Sequence, residues 1–187
     1  MSARFEIAGT ALAGLQLIKR LPIRDERGWL ERMYCAEEFA TLMCGQGIAQ
    51  INRTLTSLRG TVRGMHYQMP PHAETKLVSC LQGAVFDVAV DVRRGSPTFL
   101  QWYAERLSAD NHYSLLIPPG FAHGFQTLED NCELLYLHTT RYTPQAEAAL
   151  GARDPRLAIA WPEPISAQSA RDAAHAPLGR DFQGVGL

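Results

Sequence analysis

"AVFDVAVDV" (residues 84–92) alternates without a break: Phe86, Val88, Val90 and Val92 fall on one side of an extended chain, Asp87 and Asp91 on the other. A period of two marks a β-strand, because successive side chains leave opposite faces of the pleat. Upstream, "KLVSCL" (76–81) is a second apolar run, and "RGMHYQ" (63–68) precedes it with an arginine and a histidine. Downstream, "GSPTF" (95–99) and "IPPG" (117–120) read as turns, since proline presets φ and glycine accepts unusual dihedrals. "FAHGFQTL" and "CELLYLHTT" then form two more strands joined by the polar "EDN". Many short strands at this spacing predict an all-β sandwich or barrel over about residues 50–140.

The flanks read differently. In "CAEEFATLMCGQG" (35–47) Phe39, Leu42 and Met43 share one helical face, and Gly45 or Gly47 would end the helix. After Pro162 the chain turns polar and alanine-rich, which predicts a short helix and tail packed on the barrel over about 163–187. A chain of 187 residues without repeats fits one domain, 1–187, with room for a sizeable core. Its 46% apolar and 20% charged residues are ordinary for a globular protein. A net charge of −1 gives no reason to expect nucleic acid or an anionic membrane as partner. No segment approaches the ~20 apolar residues of a membrane span. Glu6 and Thr10 interrupt the weakly apolar start and no clear cleavage site follows, so a cytoplasmic location is expected. Cys35, Cys44, Cys80 and Cys132 are too widely spaced for a zinc cage and read as reduced thiols packed as small apolar groups.

Four chemical groups lie on or beside the strands: His66, Lys76, His123 and Tyr136. Taken singly, each has a structural reading: a core histidine, a solvated strand end, a histidine bonded to a backbone carbonyl, an amphipathic core tyrosine. Neighbouring barrel strands can nonetheless aim such groups at one interior. Parity is an obstacle, because Arg63 and His66 face opposite sides of a regular strand. Both reach one cavity only if the strand is irregular, and Gly64 is where a bulge would be tolerated. His72, His112 and His138 read as surface or structural.

"PPGFAHGF" resembles the second motif of the cupin superfamily. Where metal-binding cupins carry a second histidine in their first motif, this chain reads "HYQ", with Gln68 in its place. Two histidines without a third ligand make a poor metal site, so metal-free chemistry is expected. The ordered set "QIN", "RGTVRGMHYQMPP", "KLVSCLQGAVFDVAVDVRRGSPTF", "LIPPGFAHGFQTLED", "LLYLHTTRYTPQAE" and "DPRLAIAWP" is similar to the dTDP-4-dehydrorhamnose 3,5-epimerase family from about residue 22 to about 178.

The resemblance implies a mainly β, cupin-like double-stranded β-helix (jelly roll) with short peripheral helices. It also implies a homodimer that acts without a cofactor on a nucleotide-diphosphate sugar. The reaction implied is epimerisation at C3, C5 or both of a 4-keto-6-deoxyhexose of the dTDP-4-dehydro-6-deoxy-D-glucose type, in deoxysugar biosynthesis. His66 matches the family's proton acceptor, Tyr136 its proton donor, and Asp172 the acid that orients His66. Lys76, Arg27, Gln50, Asn52, Arg63, His123, Glu147 and Arg171 match substrate contacts; at 171 the family more usually has lysine. Where many members place a substrate-binding glutamate, "RGWLERMY" puts Arg32 in an ungapped reading, and Glu31 reaches that place only with a one-residue deletion.

These residue types suit the chemistry. Protons on C3 and C5 flank the C4 ketone, so a base near neutral pKa can remove either to give an enolate. A carboxylate beside the histidine sets its tautomer and stabilises the imidazolium. Lys76 can neutralise the enolate oxygen, Tyr136 can reprotonate from the far face, and the arginines can hold the diphosphate. A 3,4-ketoisomerase, a non-catalytic sugar-binding cupin and a metal-dependent cupin oxygenase are the other readings the strands allow.

Overall fold

The structure is a computed structural model that describes residues 3–187. In chain order it holds β1 (Phe5–Gly9), β2 (Gln16–Arg20), β3 (Ile23–Asp25), β4 (Gly28–Leu30), the short helix α1 (Ala36–Phe39) and β5 (Gln50–Thr56). There follow β6 (Val62–Gln68), β7 (Lys76–Gln82), β8 (Ala84–Asp91), β9 (Trp102–Ser108) and β10 (Tyr113–Ile117). The chain closes with β11 (Phe121–Thr127), β12 (Cys132–His138), β13 (Glu147–Ala149) and α2 (Ala170–Ala173). Two antiparallel sheets face each other, β1-β2-β10-β7-β12-β5 and β13-β6-β11-β8-β9, with β3-β4 as a separate hairpin. This is the expected jelly roll.

The interior between the sheets is filled by Leu15, Val78, Val85, Ala89, Leu115, Phe125 and Leu134. The strand at 84–91 sits there with its acids inward. Val85, Asp87 and Ala89 face the opposite sheet, whereas Val88 and Val90 pack outward against Leu150, Leu157, Ile159 and Val185. Both faces of β8 are therefore buried, because the C-terminal segment covers what would otherwise be a solvent face. A third cluster, on the outside of the six-stranded sheet, joins Ile18, Leu77, Leu116 and Leu137 to Phe39 and Met43.

The helix expected over 35–47 is one turn followed by hydrogen-bonded turns. The Met43 N–H reaches Phe39 O and the Gly45 N–H reaches Ala40 O, while Cys44 and Gly45 take positive φ. Its apolar face is as expected, since Phe39 and Met43 are buried. Cys80 and Cys132 are buried free thiols, but Cys44 is exposed and Cys35 only partly covered, so the reading of all four as packed groups fails at the helix end. The C-terminal helix is a single turn, capped by the Ser169 side chain, which accepts from the Asp172 N–H.

Candidate active site

The irregularity needed at Gly64 is present. β11 pairs with β6 as His123 with His66 and then Phe125 with Arg63, so β6 carries one extra residue between the two pairs. Gly64 sits at φ +132°, and a Cβ there would meet the Gly124 Cα at 2.5 Å and the His123 carbonyl at 2.8 Å. Only glycine fits. The bulge turns Arg63 and His66 into one cavity of about 290 Å³, with Lys76, His123, Tyr136, Asn52, Glu147 and Arg171 also in its wall.

His66 Nε2 lies 2.8 Å from Asp172 Oδ1, across 106 residues of chain. The other carboxylate oxygen accepts from the Gly64 N–H at 3.4 Å, so α2 is tied to the bulge as well as to the ring. Asp172 is 4% exposed at its side chain and His66 27%. Burial pushes the Asp172 carboxyl up, but the hydrogen bond and charge of His66 outweigh it and hold the acid below its ordinary value. In His66 burial wins: it lowers the imidazole below its ordinary value despite the opposing pull of Asp172. That shift favours the unprotonated ring.

Tyr136 enters from β12, on the opposite sheet. Burial, reinforced by the Asp87 charge, raises its phenol above the ordinary range, so the hydroxyl keeps its proton and can donate it. The His123 ring meets the Tyr136 ring edge-on at 6.1 Å and is held by Asp87, whose oxygens lie 2.9 and 3.0 Å from Nε2. Lys76 donates to the His66 carbonyl at 3.3 Å and pairs with Glu74 at 3.2 Å. Arg63 donates to the Thr56 hydroxyl at 3.3 Å. At the mouth Arg171 pairs with Glu147 at 2.7 Å, and Gln50 donates to Asn52 Oδ1 at 3.2 Å.

Three expected substrate contacts lie outside this cavity: Gln50 adjoins it through Asn52, and Arg27 and Arg32 stand apart. Arg27, on the β3-β4 hairpin, is 86% exposed and paired with Asp25. Arg32 is bonded to Glu38 of α1 at 2.7 Å. The neighbouring Glu31 turns inward instead, 3.0 Å from the buried Arg20 and 2.7 Å from His112 Nδ1. That ion pair anchors the base of the hairpin and leaves Arg32 to the helix.

His112 is structural, as read, and His72 bonds the Thr143 hydroxyl. His138 is not surface: it lines the cavity with Glu74, 2.9 Å away. Strand parity could have found it, two residues beyond Tyr136 on β12. Asp87 was likewise legible as an acid on an otherwise apolar strand. Glu74, ahead of β7, carried no sequence signal. Gln68, the expected gap in a metal site, uses its amide on backbone groups of His72 and Thr143. Among the described residues no three or more His, Cys, Asp or Glu side chains gather as a metal site.

A jelly roll with a carboxylate-bound histidine on one sheet and a half-buried tyrosine on the other is the frame of a cupin-like enzyme. The family model for dTDP-4-dehydrorhamnose 3,5-epimerase matches residues 9–180, and the chain belongs to that family. It is 40% identical to the dTDP-4-dehydrorhamnose 3,5-epimerase of Salmonella typhimurium, over 90% of this chain and 92% of that protein. The crystal structure of a dTDP-6-deoxy-D-glucose-3,5-epimerase from Legionella pneumophila, in complex with dTDP-4-keto-L-rhamnose, matches with a TM-score of 0.86. That likeness is at 39% identity and covers 91% of each chain. A 3'-monoepimerase from Streptomyces bikiniensis, in complex with dTDP-quinovose, matches with a TM-score of 0.77 at 31% identity, covering 93% of this chain and 83% of that one.

Proposed function

We propose that this protein epimerises a dTDP-linked 4-keto-6-deoxyhexose at C3, C5 or both, without a cofactor, in deoxysugar biosynthesis. One observation carries the reading: His66 with its acid and Tyr136 with its proton enter one cavity from opposite sheets. His66 takes the proton on the carbon beside the ketone, and the electron pair moves to the C4 oxygen. Lys76 stabilises that enolate. Tyr136 gives its hydroxyl proton to the far face of the same carbon, which inverts it. The phenolate then recovers a proton from solvent and His66 releases one to it. Arg63 and Arg171 hold the diphosphate, and Gln50, Asn52, His123 and Glu147 complete the substrate contacts.

The reading includes one catalytic domain, a homodimer and a cytoplasmic location. Trp29 and Leu30 on the hairpin, with Ile51 and Leu55 on the outer face of β5, leave apolar surface suited to a second copy. Arg27 shares the hairpin with Trp29 and Leu30, so in such a dimer it would lie near the interface. No helix among the described residues is long and apolar enough to cross a membrane. Incubation with dTDP-4-keto-6-deoxyglucose in deuterated water, followed by NMR of the product, tests the reaction. Label at C3, C5 or both with inverted configuration is expected, and the labelled carbons count the centres inverted. No label at either carbon overturns the reading.

A further inference from the structure

On the side of the cavity opposite His66, one line of polar contacts runs from a backbone amide to Lys76. The Tyr142 N–H donates to Gln50 Oε1 at 3.0 Å, and Gln50 Nε2 donates to Asn52 Oδ1 at 3.2 Å. Asn52 Nδ2 lies 3.5 Å from His138 Nε2, the longest link, and His138 Nδ1 lies 2.9 Å from Glu74 Oε2. Glu74 Oε1 pairs with Lys76 at 3.2 Å, and the His138 ring stacks on Tyr136 at 6.0 Å and 14°.

The two ends of the line have a polarity that no rotation can reverse. A backbone N–H only donates, and a carboxylate only accepts. Burial pushes Glu74 up, yet the hydrogen bond from His138 and the charge of Lys76 outweigh it and keep the group ionised. The direction of every link between follows. Gln50 must turn its oxygen to Tyr142, so its NH2 meets the Asn52 oxygen; the Asn52 NH2 must then meet a lone pair on His138 Nε2. That requires the Nδ1–H tautomer, which Glu74 selects. Were Nε2 to carry a proton, it would face the Asn52 NH2, and Asn52 and then Gln50 would both have to flip.

We propose that His138 and Glu74 are positioning residues: they set the donor and acceptor sides of the Asn52 and Gln50 amides that receive the substrate, and Glu74 also aims Lys76. The inference rests on the epimerase reading for its substrate, but not for its geometry. It leaves Asn52 one amide N–H and one oxygen lone pair for a substrate group that accepts on one side and donates on the other.

Nitrogen NMR of the wild-type histidine rings at neutral pH reads the tautomer without turnover, with His138 assigned by the signal lost in His138→Gln. Nδ1 protonated and Nε2 bare is expected; a protonated Nε2 overturns the proposal. In kinetics with the dTDP-keto sugar, His138→Phe keeps a ring on Tyr136 but ends the line, and should raise KM roughly five- to tenfold, the worth of one hydrogen bond, with kcat changed less than about twofold. His138→Gln, whose carbonyl can accept from Asn52, should recover most of the KM and guards against a folding failure of the phenylalanine variant. An unchanged KM, or a loss confined to kcat, overturns the positioning role. A wild type with the expected tautomer but no action on the keto sugar would instead refute the epimerase reading and leave the hydrogen-bond line standing.

Discussion

Two imidazole–carboxylate pairs face the same cavity from adjacent strands of one sheet, and they differ in almost everything except their chemistry. His66 and His123 are cross-strand partners. His123 and its acid Asp87 come from neighbouring strands and are both buried, at 6% and 0% of their side chains. His66 keeps an open edge, and its acid is delivered by α2 from the far end of the chain. Closing both members of a pair makes a rigid wall with a fixed donor. Leaving the ring open and burying only the acid leaves an imidazole that a substrate can reach, bonded to a group the substrate cannot touch.

The largest expected effect follows from that difference. His66→Ala should lower solvent exchange at C3 and C5 by about a thousandfold or more, the range of a lost general base. His123→Ala should leave exchange measurable; if it silences exchange as completely, the two pairs are not distinct. Asp172→Asn should lower kcat by about a hundredfold or more with little change in KM, because the amide no longer selects the tautomer or stabilises the imidazolium. Stopped assays at several substrate concentrations separate the two constants.

Tyr136→Phe divides the reaction instead of stopping it. Washout of a substrate proton into solvent should persist while inverted product falls sharply, both read in one NMR time course. Equal loss of the two would mean that the hydroxyl also serves the first step, and full retained activity would make Tyr136 a packing residue. Asp87→Asn should act mainly on stability: about 1–3 kcal/mol for a buried hydrogen-bonded acid, seen as a lower Tm in thermal unfolding.

The smallest effect is a shift in pH. Since burial lowers His66 and Asp172 pulls it up, kcat/KM should be lost only as pH falls through a value below the ordinary 6.5. Asp172→Asn removes the upward pull, so its acid limb should move to still lower pH. A limb that moves upward would place the titrating base elsewhere.

Much of this was legible before any coordinates. Alternation at 84–92, the turns at 95–99 and 117–120 and the motif order define the strands, and strand parity with a glycine bulge brings Arg63 and His66 to one side. Side-chain direction along a strand is a local property, so His66, Lys76, His123 and Tyr136 could be assigned to one interior. What covers a face is not local. The alternation in β8 does not say that its valines meet the C-terminal segment while Asp87 points inward to His123.

Pairings between distant segments belong to the same class. The family pattern implied a role for Asp172, but the contact depends on Ser169 capping α2 and on the Gly64 N–H donating to the acid's other oxygen. Arg27 and Arg32 match by position in sequence, yet their charges go to Asp25 and Glu38. His138 was set aside, and only docking of Glu74 against β12 turned it into part of a line that reaches Lys76. Period and residue type determined an all-β barrel or sandwich, because alternation is written at the spacing of a single strand, and the family resemblance supplied the jelly roll and the kind of chemistry. Which acid holds which base was decided by tertiary structure, because a hydrogen bond needs its partner within about 3 Å and sequence distance does not measure that.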